Sequence, residues 1–213
     1  MQFPRRLERQ HIYDGVQRLL HWGIAFAVFG LLVTGLVANN MDAGPRRAYL
    51  WLLHIDTGKL LITVLFGRLV WGFVGPEHAR LTALIHPSAW RTSFKKPQIA
   101  SADGTFGHHP QASLSYLGFY GLAVVMGMTG LLLAGILRGE GPLGERVLDR
   151  LEHAEVLGLV HEVGAWSILA FILTHVGALL LHEWRDGIPL AQSMISGFQY
   201  RSTKERSHGT DQS

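Results

Sequence analysis

The chain has no cysteine among its 213 residues. Structural disulfides, thiolate-held iron–sulfur clusters and covalent c-type haem attachment through C-x-x-C-H are therefore excluded. Charge is scarce as well: 16% of residues are Asp, Glu, Lys or Arg, against roughly 25% in soluble domains. Apolar residues make up 48% of the chain and gather in blocks, which points to a membrane protein in contact with lipid. The formal net charge of +3 comes from basic residues flanking these blocks, so it reports membrane topology rather than a nucleic-acid partner. With thiolates gone, the 12 histidines are the main ligands left for a metal.

Four stretches, residues 19–38, 52–74, 114–137 and 157–181, reach the roughly 20 apolar residues that cross a bilayer. The second is the weakest because it contains Lys59 and Arg68. The expected fold is all-α, a four-helix transmembrane bundle, with a soluble helical bundle as the alternative. The first run is too long for a signal-peptide core and no A-x-A cleavage site follows it. It reads as a retained span, although Arg5-Arg6 faintly echo a twin-arginine signal.

Arg5, Arg6, Arg9 and Arg18 precede or open the first span. Arg80, Arg91, Lys95 and Lys96 fall in the 75–113 connection, and Arg185, Arg201, Lys204 and Arg206 follow the last span. The opposite loops carry Arg46 and Arg47, and Arg138, Arg146 and Arg150 mixed with five acids. The positive-inside rule then expects both termini in the cytoplasm. The 75–113 connection holds Pro76, Pro87, Pro97 and Pro110, so it is expected to be cytoplasmic and irregular, with short helical turns. Residues 186–213 read as a cytoplasmic tail, disordered from about Ser202. No internal repeat stands out.

The last span is apolar yet carries His161 and His175, fourteen residues apart. At about 1.5 Å and 100° per residue, that spacing puts both on one face, roughly 21 Å apart. A buried imidazole is costly without a partner. His21 lies in the first turn of span one, on the cytoplasmic side, and His54 in the first turn of span two, on the outer side. Depth then pairs His21 with His175 and His54 with His161, while span three has no histidine. Zinc would want three or four ligands close together. Two opposed imidazoles suit a planar metal complex with two open axial positions, namely a noncovalent haem b with bis-His ligation. With both axial positions filled, the implied chemistry is electron transfer rather than oxygen activation.

Gly58 and Gly164 share the faces of His54 and His161. Either they let a flat macrocycle approach the backbone, or they serve close helix packing. Arg68 is fourteen residues after His54, which places it at the depth of the inner haem. It could pair with a haem propionate or hold a quinone headgroup; the alternative is a snorkelling arginine at the membrane edge. Arg18, just before His21, has a similar but weaker case. Lys59 lies off this face, and His182 sits near the cytoplasmic boundary. His11, His78, His86, His108, His109, His153 and His208 fall in loops and terminal segments, where a solvated histidine is the default.

RLLHW at the start of span one, HIDTGKLLITVLFGRLVWG on span two, HHPQASLSYLGFYGL leading into span three and H-x13-H on span four together resemble the bacterial cytochrome b561 family. The nearest branch is the b-type cytochrome subunits of nickel–iron hydrogenases, and the resemblance covers roughly residues 10–185. It implies a four-helix bundle of the bacterial inner membrane carrying two haems b, with His21, His54, His161 and His175 as ligands. It also implies electron transfer between the quinone pool and a periplasmic redox partner: a hydrogenase, another dehydrogenase or a cytochrome c. On that reading the chain is an electron-transfer subunit of an oxidoreductase rather than a complete enzyme. Related proteins often have His-Asn-Pro where this chain has His-His-Pro before span three, so His108 and His109 receive no role. Two other functions compete: a stand-alone quinone oxidoreductase of the same fold using a small substrate such as superoxide, and a histidine-lined metal-ion transporter.

Overall fold

The first long helix, α1 (Gly15–Asn39), starts where Asp14 can cap it: the Asp14 carboxylate accepts the Gln17 N–H at 2.9 Å, one of the donors that a helix start leaves open. Helix α2 (Pro45–Val74) begins with proline at its first position, where the missing N–H costs nothing. Helix α3 spans Pro110–Arg138, and α4 spans Ala154–Asp186 and ends on Gly187 at φ +66°. A short helix, α5 (Ser193–Ser196), follows. Two strands, β1 (Arg6–His11) and β2 (Phe198–Thr203), pair antiparallel with Arg6 opposite Thr203 and His11 opposite Phe198. This computed structural model describes residues 6–81, 110–141 and 151–203.

The four long helices have the length and apolar composition of membrane spans. Each extends past the limits read from the sequence, α2 by seven residues at its start. The charged turn Arg46-Arg47 continues the helix because an α-helix satisfies its own backbone whether or not its side chains face lipid. Their outer surfaces are apolar: Phe26, Phe29, Phe66, Phe73 and Leu173 are all exposed. A soluble bundle would turn such a stripe inward, so the arrangement fits a multi-pass membrane protein and not the soluble alternative. Lys59 is accounted for by an ion pair with Asp56 at 2.9 Å on the exposed side of α2.

Helix α1 packs chiefly on α2, and α3 on α4, with α2 against α3 between the two hairpins. The core is a cluster built on Ile24, Ala27 and Val28 of α1, Leu61 of α2 and Ile168 of α4, with Phe119, Leu122 and Met126 of α3 packed against it. Each of these residues falls between the two histidine levels of the bundle. The core is therefore an apolar layer separating two polar floors.

One end of the bundle, here the terminal end, holds the β1–β2 ribbon and α5. The other is the hairpin end. The ribbon is an addition to the all-α expectation, and it carries order through Ser202 and Thr203, where a disordered tail was expected. Gly197 makes the joint. It sits at φ +84°, its carbonyl accepts the N–H groups of Ile12 and Tyr13 at 3.0 and 3.1 Å, and a Cβ there would lie 2.7 Å from the Tyr13 carbonyl. No side chain fits such a position. The Arg9 guanidinium covers the Phe198 ring at 4.4 Å. In the 75–113 connection a 3-10 turn occupies Glu77–Ala79. His86, His108 and His109 lie outside the described residues, as does the chain beyond Thr203.

Candidate functional site

At the hairpin end, His54 of α2 and His161 of α4 face each other with ring centroids 6.3 Å apart and planes at 70°. Two imidazoles sharing one metal, at about 2 Å from each nitrogen, have centroids roughly 6 Å apart. The span fits one metal between two rings, and among the described residues no group of three or more His, Cys, Asp or Glu could hold a metal ion. A two-ligand site of this kind suits a complex whose remaining positions come from a macrocycle.

Two threonines and two glycines complete this end. Thr34 Oγ1 of α1 lies 3.1 Å from His54 Nδ1, and Thr129 Oγ1 of α3 lies 2.8 Å from His161 Nδ1. The next residue in each helix is glycine. A Cβ on Gly35 would stand 3.2 Å from His54 Cε1, and one on Gly130 would stand 3.2 Å from His161 Cε1. Of the two glycines on the histidines' own faces, Gly164 is closely packed by Met126, whereas a Cβ on Gly58 would meet Leu31 at an ordinary 3.8 Å. The glycines that matter to the histidines are on the neighbouring helices.

At the terminal end, His21 of α1 and His175 of α4 lie within Coulombic reach of each other. Aromatic rings surround His175. Phe171 is stacked on it at 5.9 Å and 5°, Phe119 is stacked on Phe171 at 4.9 Å, and Tyr116 meets His175 edge-on at 6.1 Å. Trp22 lies edge-on to His21, and its indole N–H donates to the Met194 carbonyl at 3.0 Å, tying α5 to α1. Burial, reinforced by neighbouring Tyr116, pushes the Tyr13 phenol up to about 12, so it stays neutral beside this floor.

Arg68 is 7% exposed and its Nη1 is buried without a hydrogen-bond partner among the described residues. Its chain neighbour Gly67 meets Leu20 at 3.3 Å, which sets Arg68 at the level of His21. A guanidinium nitrogen buried in this way is stable only with an anion or acceptor close by. Arg18 is different: its Nη1 donates to the Ile195 carbonyl, while its Nε is buried with no hydrogen-bond partner among the described residues. It anchors the C-terminal segment whatever else it does.

The two hairpins are built alike, which sequence inspection missed. Thr-Gly-Leu recurs at 34–36 and 129–131, and each threonine meets the histidine of the next helix. Fourteen residues after those histidines stand Arg68 and His175; thirteen before the threonines stand His21 and Tyr116. The terminal end thus holds one ligand candidate from each hairpin, and at the equivalent positions Arg68 and Tyr116.

Residues 12–197 match the profile of a family described as prokaryotic cytochrome b561. A protein of Rhizobium leguminosarum bv. viciae named "Probable Ni/Fe-hydrogenase B-type cytochrome subunit" is 27% identical over 91% of this chain and 90% of its own. A protein of the same name from Rhodobacter capsulatus is 25% identical over 91% and 82%. One from Escherichia coli K12, named as the hydrogenase 1 subunit, is 24% identical over 92% and 95%. No solved structure matches.

Proposed function

Since the chain belongs to the prokaryotic cytochrome b561 family, and is thus a membrane electron-transfer cytochrome, we propose that it carries two haems b and conducts electrons between the quinone pool and a hydrogenase on the periplasmic side. His54 and His161 hold one haem at the hairpin end, and His21 and His175 the other at the terminal end. The observation that carries the reading is the 6.3 Å separation of the His54 and His161 rings, with both Nδ1 atoms already engaged by threonines. The hydrogenase partner rests on the names of the relatives. The positive-inside count supports a hairpin end in the periplasm and both termini in the cytoplasm.

Haem, when bound, supplies a one-electron iron couple. The protein's own part would be to hold each haem between two histidines, His54 and His161 or His21 and His175, and to set two floors across the membrane. An apolar layer keeps water from the space between them. An electron carrier is what the family supports, rather than a metal-ion transporter. The same two floors would serve a stand-alone quinone oxidoreductase, and co-purification with a soluble redox subunit separates that reading from a subunit role.

Purified protein is expected to contain about two haems b per chain, released intact by acid–acetone because no thioether bond can form. Pyridine-haemochrome and protein assays decide it. A ratio near zero ends the haem reading, and a ratio near one breaks the two-floor scheme.

Arg68 holds the propionate side of the terminal-end haem or a quinone headgroup beside it. Arg68→Leu removes a buried positive charge there, which favours the oxidised form. The potential of that haem is expected to fall by roughly 50 mV, about 1 kcal/mol for one electron, with both haems retained. Redox titration checks the first role and quinone kinetics the second; no change in either removes Arg68 from the site.

A further inference from the structure

We propose that Thr34 and Thr129 are positioning residues that fix the tautomer of His54 and His161 and lower the reduction potential of the hairpin-end haem. The proposal rests on the haem reading above. Each threonine hydroxyl has one proton and a backbone carbonyl to receive it: Thr34 Oγ1 donates to Gly30 O at 2.7 Å, and Thr129 Oγ1 donates to Val125 O at 2.9 Å. The hydroxyl oxygen is then left as an acceptor, and the group facing it is the histidine Nδ1. A neutral imidazole carries one N–H. With that proton at Nδ1, the lone pair is at Nε2, the atom left to ligate metal.

Back-bonding by threonine in a helix is ordinary. Thr57 and Thr174 do the same, donating to Leu53 O at 2.7 Å and Ala170 O at 2.8 Å. What sets Thr34 and Thr129 apart is the second contact, made twice, in two helix pairs, with a glycine following each time and its open face 3.2 Å from the same ring carbon. The chain from Nδ1–H through hydroxyl to carbonyl has each donor facing an acceptor. Sharing the Nδ1 proton makes the imidazole a more basic ligand, and a more basic ligand favours ferric over ferrous iron. Among the described residues the terminal-end histidines meet aromatic rings instead, so the proposal concerns the hairpin-end floor.

The test uses the full-length protein in detergent. Thr34→Val and Thr129→Val keep the shape and delete the hydroxyl, while Thr34→Ser and Thr129→Ser keep the hydroxyl. Spectroelectrochemical titration reads both haem potentials. In the double valine variant the hairpin-end couple is expected to shift upward by roughly tenfold in its equilibrium constant, about 60 mV for one electron. The other couple stays in place, and the serine variants match wild type. Selective loss of the hairpin-end haem in the valine but not the serine variants also supports the proposal. Unchanged potentials with both haems retained overturn it, as do serine variants that behave like valine. Wild-type protein lacking haem overturns the parent reading as well, so the two failures are told apart before any variant is made.

Discussion

In the His54→Ala and His161→Ala proteins the same haem is expected to disappear or turn high-spin. His21→Ala and His175→Ala should share the other phenotype. The geometry behind the first pair is the facing of the two rings at 6.3 Å. The second pair follows from their common level at the terminal end, on helices α1 and α4. Removing one axial imidazole opens a coordination position, so the haem content should drop from about two per chain to about one, or one low-spin signal should be replaced by a high-spin one. The remaining haem keeps its spectrum because an apolar layer and roughly 21 Å of helix separate the floors. EPR of the four single variants sorts them into two classes. If His21 groups with His161, the assignment of levels is wrong.

A second large effect is expected without touching any ligand. In Gly35→Leu or Gly130→Leu the first added carbon already stands 3.2 Å from the histidine ring, and three more carbons follow it. The Cβ alone asks the ring to give by a few tenths of an ångström, and the rest of the leucine side chain is expected to push it past the roughly 0.5 Å within which a ligand must be held. The hairpin-end haem should therefore be lost from both variants while the terminal-end haem remains. Gly121→Leu is the control, since nothing lies within 4 Å of a Cβ built there. Absorption spectra normalised to protein give the result. Retention of both haems in the Gly35 and Gly130 variants would show that the rings can retreat into free space, and that the glycines do not set the site.

Much of this architecture could be read from the residues, and the part that could not has identifiable reasons. The spans, and the pairing of levels by helix rise, needed only hydropathy and a 1.5 Å step, and in the structure His54 faces His161 as that arithmetic expects. The depth of Arg68 followed from the same step, but its burial did not, because periodicity gives a face and not a neighbour. The glycines show the limit clearly. Gly58 and Gly164 share a helix face with a histidine, yet the space beside an imidazole is set by the adjacent helix, where Gly35 and Gly130 stand. Thr34 and Thr129 were invisible for a related reason: a lone threonine in an apolar helix carries no signal until its partner is known. A signal did exist in the recurring Thr-Gly-Leu. It was hidden because the histidine follows twenty residues later in one hairpin and thirty-two in the other, so no fixed period links the halves. The β1–β2 ribbon joins segments nearly the whole chain apart; β1 has a single apolar residue, and the alternation in β2 stops after Phe198 and Tyr200, too little to announce a strand.

The way the four helices associate has a consequence for how the protein is put together. Each hairpin is closely packed within itself, α1 on α2 and α3 on α4, and each can be inserted and closed as a unit. The seam between the units is thinner, yet both histidine pairs cross it: His54 and His21 come from the first unit, His161 and His175 from the second. If haem is seated on both floors as proposed, each iron would be a rivet through the seam, and cofactor delivery would be the closing step of assembly. A cell starved of haem would then accumulate a chain with its helical content intact and its halves free to part.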